Sequence, residues 1–193
     1  MNEKTNEASQ SQRILNAAFK CISSKGYANV SLRDIADEAG VVLSQLNYYY
    51  RNKEGLLIEV IKMLAQQYLS EIEDNLKKGE SADEKIAYFI KYFEDMLRTK
   101  PELFKLLFDL TSMALWSGSL KELLSNLFND LTNLIERYIL CSFSVKEKYK
   151  SYSSVALSRM ILGAMFGTSI QVMLAQDPED MICSLSTIQL LFE

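Results

Sequence analysis

Between Ser44 and Lys53 the chain sets hydroxyls, amides, phenols and an ammonium in close succession: Ser44, Gln45, Asn47, Tyr48, Tyr49 and Lys53. These are not the residues of a catalytic or metal site, and the whole chain lacks histidine, the commonest proton shuttle and metal ligand near neutral pH. What such a set does well is hydrogen-bond a polyanion. Gln and Asn amides match the donor and acceptor of an adenine edge, Ser and Tyr hydroxyls reach phosphates or bases, and a lysine just past a helix end meets a phosphate. The chemistry predicted is recognition of duplex DNA.

Those side chains act together only if they share one face of a short helix held at a set angle to a support, and the flanking residues supply both. Ser31 and Asp34 are spaced as a capping pair, so a helix starts there. Leu32, Ile35, Ala36 and Ala39 recur at three and four along it, and Gly40 offers the left-handed residue that stops it. After Gly40-Val41-Val42 a second short helix is predicted over Leu43 to Tyr50, with Val41 and Leu46 facing in and the polar set facing out. Upstream, from about Gln10 to Ser24, Ile14, Leu15, Ala18, Phe19 and Ile22 line a supporting helix that Gly26 closes, with Tyr27 packing under the reading helix.

Ile35-Ala36-x-x-Ala39-Gly40-Val41, Leu46, Tyr49-Tyr50, Lys53-Glu54 and Leu56 resemble the DNA-binding signature of the tetracycline-repressor (TetR) family. By motif the resemblance covers Ile14 to Leu57; the remainder is similar only in length, helix count and general pattern. Two positions depart from it. Val42 stands where the family usually has Ser or Thr, so Leu43 or backbone amides must orient the reading helix; Asn47 stands where it usually has Tyr, exchanging a phosphate contact for a base contact. The DNA-contacting set expected is Ser31, Arg33, Leu43, Ser44, Gln45, Asn47, Tyr48, Tyr49 and Lys53.

Composition sets the frame. With two prolines, seven glycines and no alternating strand runs, 193 residues point to an all-α protein in two helical parts. The net charge of −4 argues against nucleic acid until it is located: residues 12–53 hold six basic and three acidic side chains, so the basic excess sits around the reading helix. Cys21, Cys141 and Cys183, odd in number and far apart, are expected to be buried structural thiols. The first ten residues have no apolar core of a signal peptide, and no uninterrupted apolar run long enough for a bilayer is evident, so a cytoplasmic protein is expected.

The expected division is a disordered polar tail over 1–9, a helix-turn-helix DNA-binding domain over 10–54, and a ligand-binding and dimerisation domain over 55–193. One long helix from Lys53 to about Lys78 leads into the second part, followed by a helix capped at Ser81-Ala-Asp-Glu84, one opened by Pro101 and ended by Trp116-Ser-Gly118, and one carrying the stripe from Leu120 to Tyr138. A polar hinge is expected at Ser144–Ser151. From about Tyr152 to Ala175 the apolar residues go nearly all round, so that helix must be covered on both sides. Gly163-x-x-x-Gly167 lets another helix approach it, and Asp177-Pro178-Glu179-Asp180 opens a last helix running to Leu191-Phe192.

A dimer interface follows, formed by Leu157, Met160, Gly163, Ala164, Gly167, Ile182, Leu185 and Ile188. The resemblance implies a homodimeric repressor that binds an inverted-repeat operator and is released by a small apolar or aromatic effector, with no cofactor. The candidate effector pocket is the aromatic and Met set Phe89, Tyr92, Phe93, Met96, Phe108, Met113, Trp116, Met165 and Phe166. The competing readings are a dimeric all-α scaffold, or a helical enzyme without DNA binding; the second lacks any Gly-rich phosphate loop or spaced carboxylates at a pocket.

Overall fold

The computed structural model describes residues 2–142 and 151–191, and every regular element among them is helical. In chain order these are α1 (Asn2–Lys25), α2 (Leu32–Ala39), α3 (Leu43–Tyr49), α4 (Lys53–Lys78), α5 (Ala82–Thr99), α6 (Pro101–Ala114), α7 (Gly118–Tyr138), α8 (Ser154–Leu174) and α9 (Glu179–Cys183), with 3₁₀ turns at Tyr27–Asn29, Leu140–Ser142 and Ser184–Leu191. The expected hinge falls outside the described residues except for Ser151, as does Phe192.

The first helix starts earlier than expected. Residues 2–9, read from the sequence as a disordered tail, continue α1 from Asn2. Glu, Lys and Ala are good helix formers, and a helix already nucleated over the Ile14–Ile22 stripe extends one hydrogen bond at a time. The last helix is shorter than expected. After Pro178 only Glu179–Cys183 is α-helical, and Ser184–Leu191 tightens to 3₁₀. Ser184, Ser186 and Thr187 there each donate their hydroxyls to the backbone carbonyl three residues back, an alternative partner that competes with the α ladder.

The chain forms two compact units: Met1–Gln66 with Lys105–Leu123, and Gln67–Phe104 with Leu124–Glu193. They do not part at 54/55. The periodic stripe of α4 runs on without a break past that point, with Leu56, Leu57, Val60, Ile61 and Leu64 all buried. The end of α6 also belongs with the first unit. Asp109 accepts from the Tyr27 backbone N–H at 2.9 Å, and Glu54 accepts from the hydroxyls of Ser117 at 2.9 Å and Ser119 at 2.5 Å.

The core of the first unit is Ile14, Ala18, Ile22, Ile35, Ala36, Leu46, Leu56 and Leu57. In the second unit Ile86, Phe89, Ile90, Leu97, Ile135, Ile161, Met165 and Ile182 are buried. Each buried aliphatic side chain contributes roughly 1.5–3 kcal/mol relative to exposure. The cysteines divide: Cys21 is buried, and burial pushes its thiol pKa up, whereas Cys141 and Cys183 are exposed, contrary to the expectation of three buried thiols. Apolar neighbours in sequence do not decide burial at those two, because they lie on solvent-facing sides of a terminal turn and of a single-turn helix.

Candidate nucleic-acid interface

The support of the reading helix is built from short-range chemistry. Ser31 Oγ accepts from the Asp34 backbone N–H at 3.2 Å, and the Asp34 carboxylate accepts from the Ser31 N–H at 2.7 Å, a complete capping box. The Ser31 hydroxyl also donates to Asp34 Oδ2 at 2.6 Å, and that bond with the one from the Ser31 N–H holds the Asp34 carboxyl below the ordinary carboxylate range. The other end of α2 closes at Gly40, whose φ of 63° and ψ of 40° place it in the left-handed region. Arg13 of α1 donates from Nη2 to the Ala39 carbonyl at 2.6 Å, so a cation satisfies a terminal carbonyl where the helix dipole is negative.

The reading helix α3 buries one residue, Leu46, against this support. Val42 is extended and makes no side-chain cap, as its side chain requires. The helix start is satisfied instead by Gln45, whose Oε1 accepts from the Val42 N–H at 3.2 Å. Neither Leu43 nor backbone amides alone set the angle, and the carbonyl half of the Gln45 amide is engaged while the cap holds. Sequence spacing carried that signal, since position N3 of a helix is where Gln reaches back to the cap.

Around this helix the polar side chains separate by what they are already doing. Ser44, Asn47 and Tyr48 are exposed, Tyr48 at 77%. Leu43 and Tyr49 are half-buried. The Tyr48 and Tyr49 rings meet edge to face at 5.2 Å between centroids, and Tyr49 Oη donates to Gln10 Oε1 of α1 at 3.1 Å. The Ser11 and Tyr50 hydroxyls share a further bond of 2.8 Å along the same pair of helices. Gln10, Ser44, Gln45, Tyr48 and Tyr49 together line a shallow groove of about 300 Å³. Gln10 had been read only as the start of a supporting helix.

Of the remaining expected contacts, Arg33 is exposed on α2, and Ser31 is exposed but committed to its capping box. Lys53 is drawn inward. Its ammonium donates to the Tyr27 backbone carbonyl and lies 4.1 Å from the centroid of the Tyr27 ring. Burial pushes its pKa down, with Asp34 opposing. It is therefore a tie within the first unit as well as a cation near the helix end.

The second unit holds the rest of the expected sites, with several corrections. Phe89 and Met165 are buried, and Tyr92, Phe93, Met96 and Phe166 are half-buried in this unit. Phe93 meets Phe104 edge to face at 5.2 Å, and Phe166 meets Phe128 at 5.7 Å. Tyr92 is not an apolar wall: its hydroxyl donates to Glu71 Oε2 at 2.7 Å, and burial with that carboxylate pushes the phenol pKa far up. At Glu71 burial works upward, and the bonds from Gln67 and Tyr92 with the charge of Lys100 outweigh it, so the carboxyl stays low.

Phe108, Met113 and Trp116 belong to the first unit instead, and Trp116 is 90% exposed in the turn after α6. That turn ends the helix with backbone bonds to Met113, which leaves the indole in solvent rather than in a pocket wall.

In the expected dimer face, Ile182, Leu185 and Ile188 are at most 7% exposed and form core within their own unit. The reason is local. The 3₁₀ turn has a three-residue period, so 182, 185 and 188 fall on one side and turn inward together. What lies open on α8 is Met160, Gly163, Ala164, Ile170 and Leu174, the last 81% exposed, with Met181 and Leu190 beyond it. A Cβ on Gly163 or Gly167 would meet nothing within 4 Å, so among the described residues nothing packs closely on the two glycines themselves. Helix α8 is long and apolar enough to cross a membrane by length and composition, with 28% of its most apolar stretch buried, which the reading of short apolar runs had not anticipated.

Comparison with known proteins bears on this geometry. Residues 14–60 match the family model for bacterial regulatory proteins of the tetR family. The fatty acid metabolism regulator protein of Bacillus subtilis (strain 168) is 34% identical over 82 residues, covering 42% of each chain. Across the curated relatives that the chain matches, the alignments span only 37–61% of the relative's own length. Among solved structures, the fatty acid degradation regulator FadR of Bacillus halodurans superposes with a TM-score of 0.79 at 17% identity, covering 95% of this chain and 94% of that one. FadR of Bacillus subtilis in complex with stearoyl-CoA does so at 0.74 and 21%, covering 94% and 97%. At such identities these structures speak to the fold alone.

Proposed function

We propose that this chain, whose residues 14–60 match the family model for bacterial regulatory proteins of the tetR family, is a cytoplasmic, homodimeric transcriptional repressor of that family that binds an inverted-repeat operator and leaves it when a small molecule binds. The observation that carries the reading is the division of α3: one buried residue, Leu46, against a capped support, and an opposite face of Ser44, Asn47 and Tyr48 left to solvent. A helix presented that way enters a major groove, its dimer mate one DNA turn away, about 34–36 Å. Asn47 is the base reader, because its amide makes no hydrogen bond to other described residues, so donor and acceptor are both available to an adenine. Gln45 caps the helix, and Lys53 ties α4 to Tyr27 while offering its charge to a phosphate.

The second copy covers the open face of α8, Met160, Gly163, Ala164, Ile170 and Leu174. That role also accounts for the apolarity of α8 without a membrane, since buried Ser158 and Ser169 face the interior of its own unit and its opposite side is closed by protein. No chemistry of bond making is assigned to the chain. For the effector, fatty acyl thioesters are the first class to test, since FadR of B. subtilis was solved with stearoyl-CoA; Phe89, Phe93, Met165 and Phe166 of the second unit are the candidate contacts for an apolar chain.

The test is selection of binding sites from random duplex DNA by wild type, Asn47→Ala and Gln45→Ala. The wild type should return an inverted repeat. Asn47→Ala should lose about 1–3 kcal/mol on that repeat and relax one base-pair position in each half. Gln45→Ala should weaken binding to all sequences alike, through the lost cap, by about 0.5–2 kcal/mol. Failure of the wild type to enrich any sequence would end the repressor reading.

A further inference from the structure

We propose that the groove between α1 and α3 is a seat for one backbone phosphate of the bound DNA, and that Gln10 is a direct contact in it. This rests on the DNA-binding reading and deepens it. The groove is lined by Gln10, Ser44, Gln45, Tyr48 and Tyr49, and it opens beside the exposed side of the reading helix.

Each of the two amides in the groove already has one half in use. Gln10 Oε1 accepts from Tyr49 Oη, and Gln45 Oε1 accepts from the Val42 N–H. Both carbonyls are thus engaged on the protein side, and what the two amides turn to the groove is their NH₂ donors. Ser44 and Tyr48 add two hydroxyls. The major-groove edge of every base pair sets a donor, adenine N6 or cytosine N4, beside its acceptors, whereas a phosphodiester presents only acceptors, so a concavity of amide and hydroxyl donors fits the phosphate at any sequence. Among the described residues no cation lines the groove, which makes the contact of Gln10 one of geometry rather than of charge.

Position in the fold agrees with this. The Gln10–Tyr49 and Ser11–Tyr50 bonds pin one stretch of α1 to the last turn of α3. A phosphate held there would fix the depth at which α3 enters the groove without reading a base, leaving that task to Asn47. The seat adds a contact from the supporting helix to a surface otherwise made by α2 and α3.

Two substitutions separate contact from support. Gln10→Glu keeps an acceptor for Tyr49 but removes the donor and turns a negative charge toward the phosphate; Gln10→Ala removes both. The probe is a mixed-sequence DNA duplex at two salt concentrations, because a phosphate contact is independent of sequence. We expect Gln10→Ala to bind roughly threefold more weakly with an unchanged salt slope, since a neutral contact releases no counterion. Gln10→Glu should bind at least about tenfold more weakly, the loss shrinking as salt screens the new repulsion. Gln10→Glu, which keeps the Tyr49 bond, should hold the wild-type thermal midpoint, and Gln10→Ala should lower it only slightly. If Gln10→Glu binds as well as wild type, or no worse than Gln10→Ala, Gln10 merely props Tyr49 and the phosphate seat is overturned. If the wild type itself does not retain the duplex, the DNA-binding reading falls and the seat with it.

Discussion

Helices α3 and α8 both present one side to their own unit and the other to solvent, yet they carry that division in opposite ways. Along α3 the inward residue is aliphatic and the outward residues are polar, so a side chain's type tells its direction. Along α8 both directions are apolar, and the inward face even holds Ser158 and Ser169 while Met160, Ile170 and Leu174 look out. An outward polar face suits a hydrated polyanion; an outward apolar face suits a second protein surface. The difference teaches that residue type assigns a face only where one of the two partners is water.

The comparison can be broken at four places, taken from the largest effect down. Leu46→Ala removes the only buried side chain of α3 and should destabilise the first unit by about 2–5 kcal/mol, abolishing DNA binding. A thermal melt that moves by less than a degree or two would mean that α3 is held by its polar bonds instead.

On α8, Gly163→Leu has room in a single chain, since a Cβ there meets nothing within 4 Å. It should leave the monomer folded and weaken self-association by about 1–3 kcal/mol. Ile188→Ala, on the 3₁₀ turn, should do the reverse, lowering the melting temperature with little change in association. Light scattering across a dilution series, beside melts of each variant, reads both; a Gly163→Leu dimer as tight as wild type would place the interface elsewhere.

The third test uses acid. Hydrogen bonds from Ser119 and Ser117 hold the Glu54 carboxyl below its ordinary pKa. A carboxyl depressed in the folded state adds stability above its unfolded pKa of about 4.3, and that stability is lost as the pH falls through the folded value. A Ser117→Ala, Ser119→Ala double variant should therefore be less stable than wild type at neutral pH and converge with it on acidification. Parallel loss at both pH values would show that the hydroxyls act by packing alone.

The smallest effect is expected at Trp116. Being 90% exposed, it should emit like a hydrated indole and be quenched freely by acrylamide, and Trp116→Phe should leave the melt and DNA retention unchanged. A blue-shifted, protected emission would mean that a partner or ligand covers it.

Local chemistry by itself determined the reading head: Ser31 caps because Asp34 is three residues on, Gly40 stops the helix because few other residues take a positive φ, and Leu46 faces inward because it is the aliphatic position among polar ones. Each depends on neighbours within about one helical turn. Tertiary structure alone decided the rest. That Gln10 reaches Tyr49 across 39 residues and that Lys53 leans on Tyr27 across 26 are pairings between distant partners, and several sequence-compatible choices exist for each side chain. The same holds for Ile182, Leu185 and Ile188, whose inward turn depends on a 3₁₀ period that apolar spacing at three also permits as α-helix. Residue spacing specifies a face; which surface covers it is settled by packing among segments far apart in the chain.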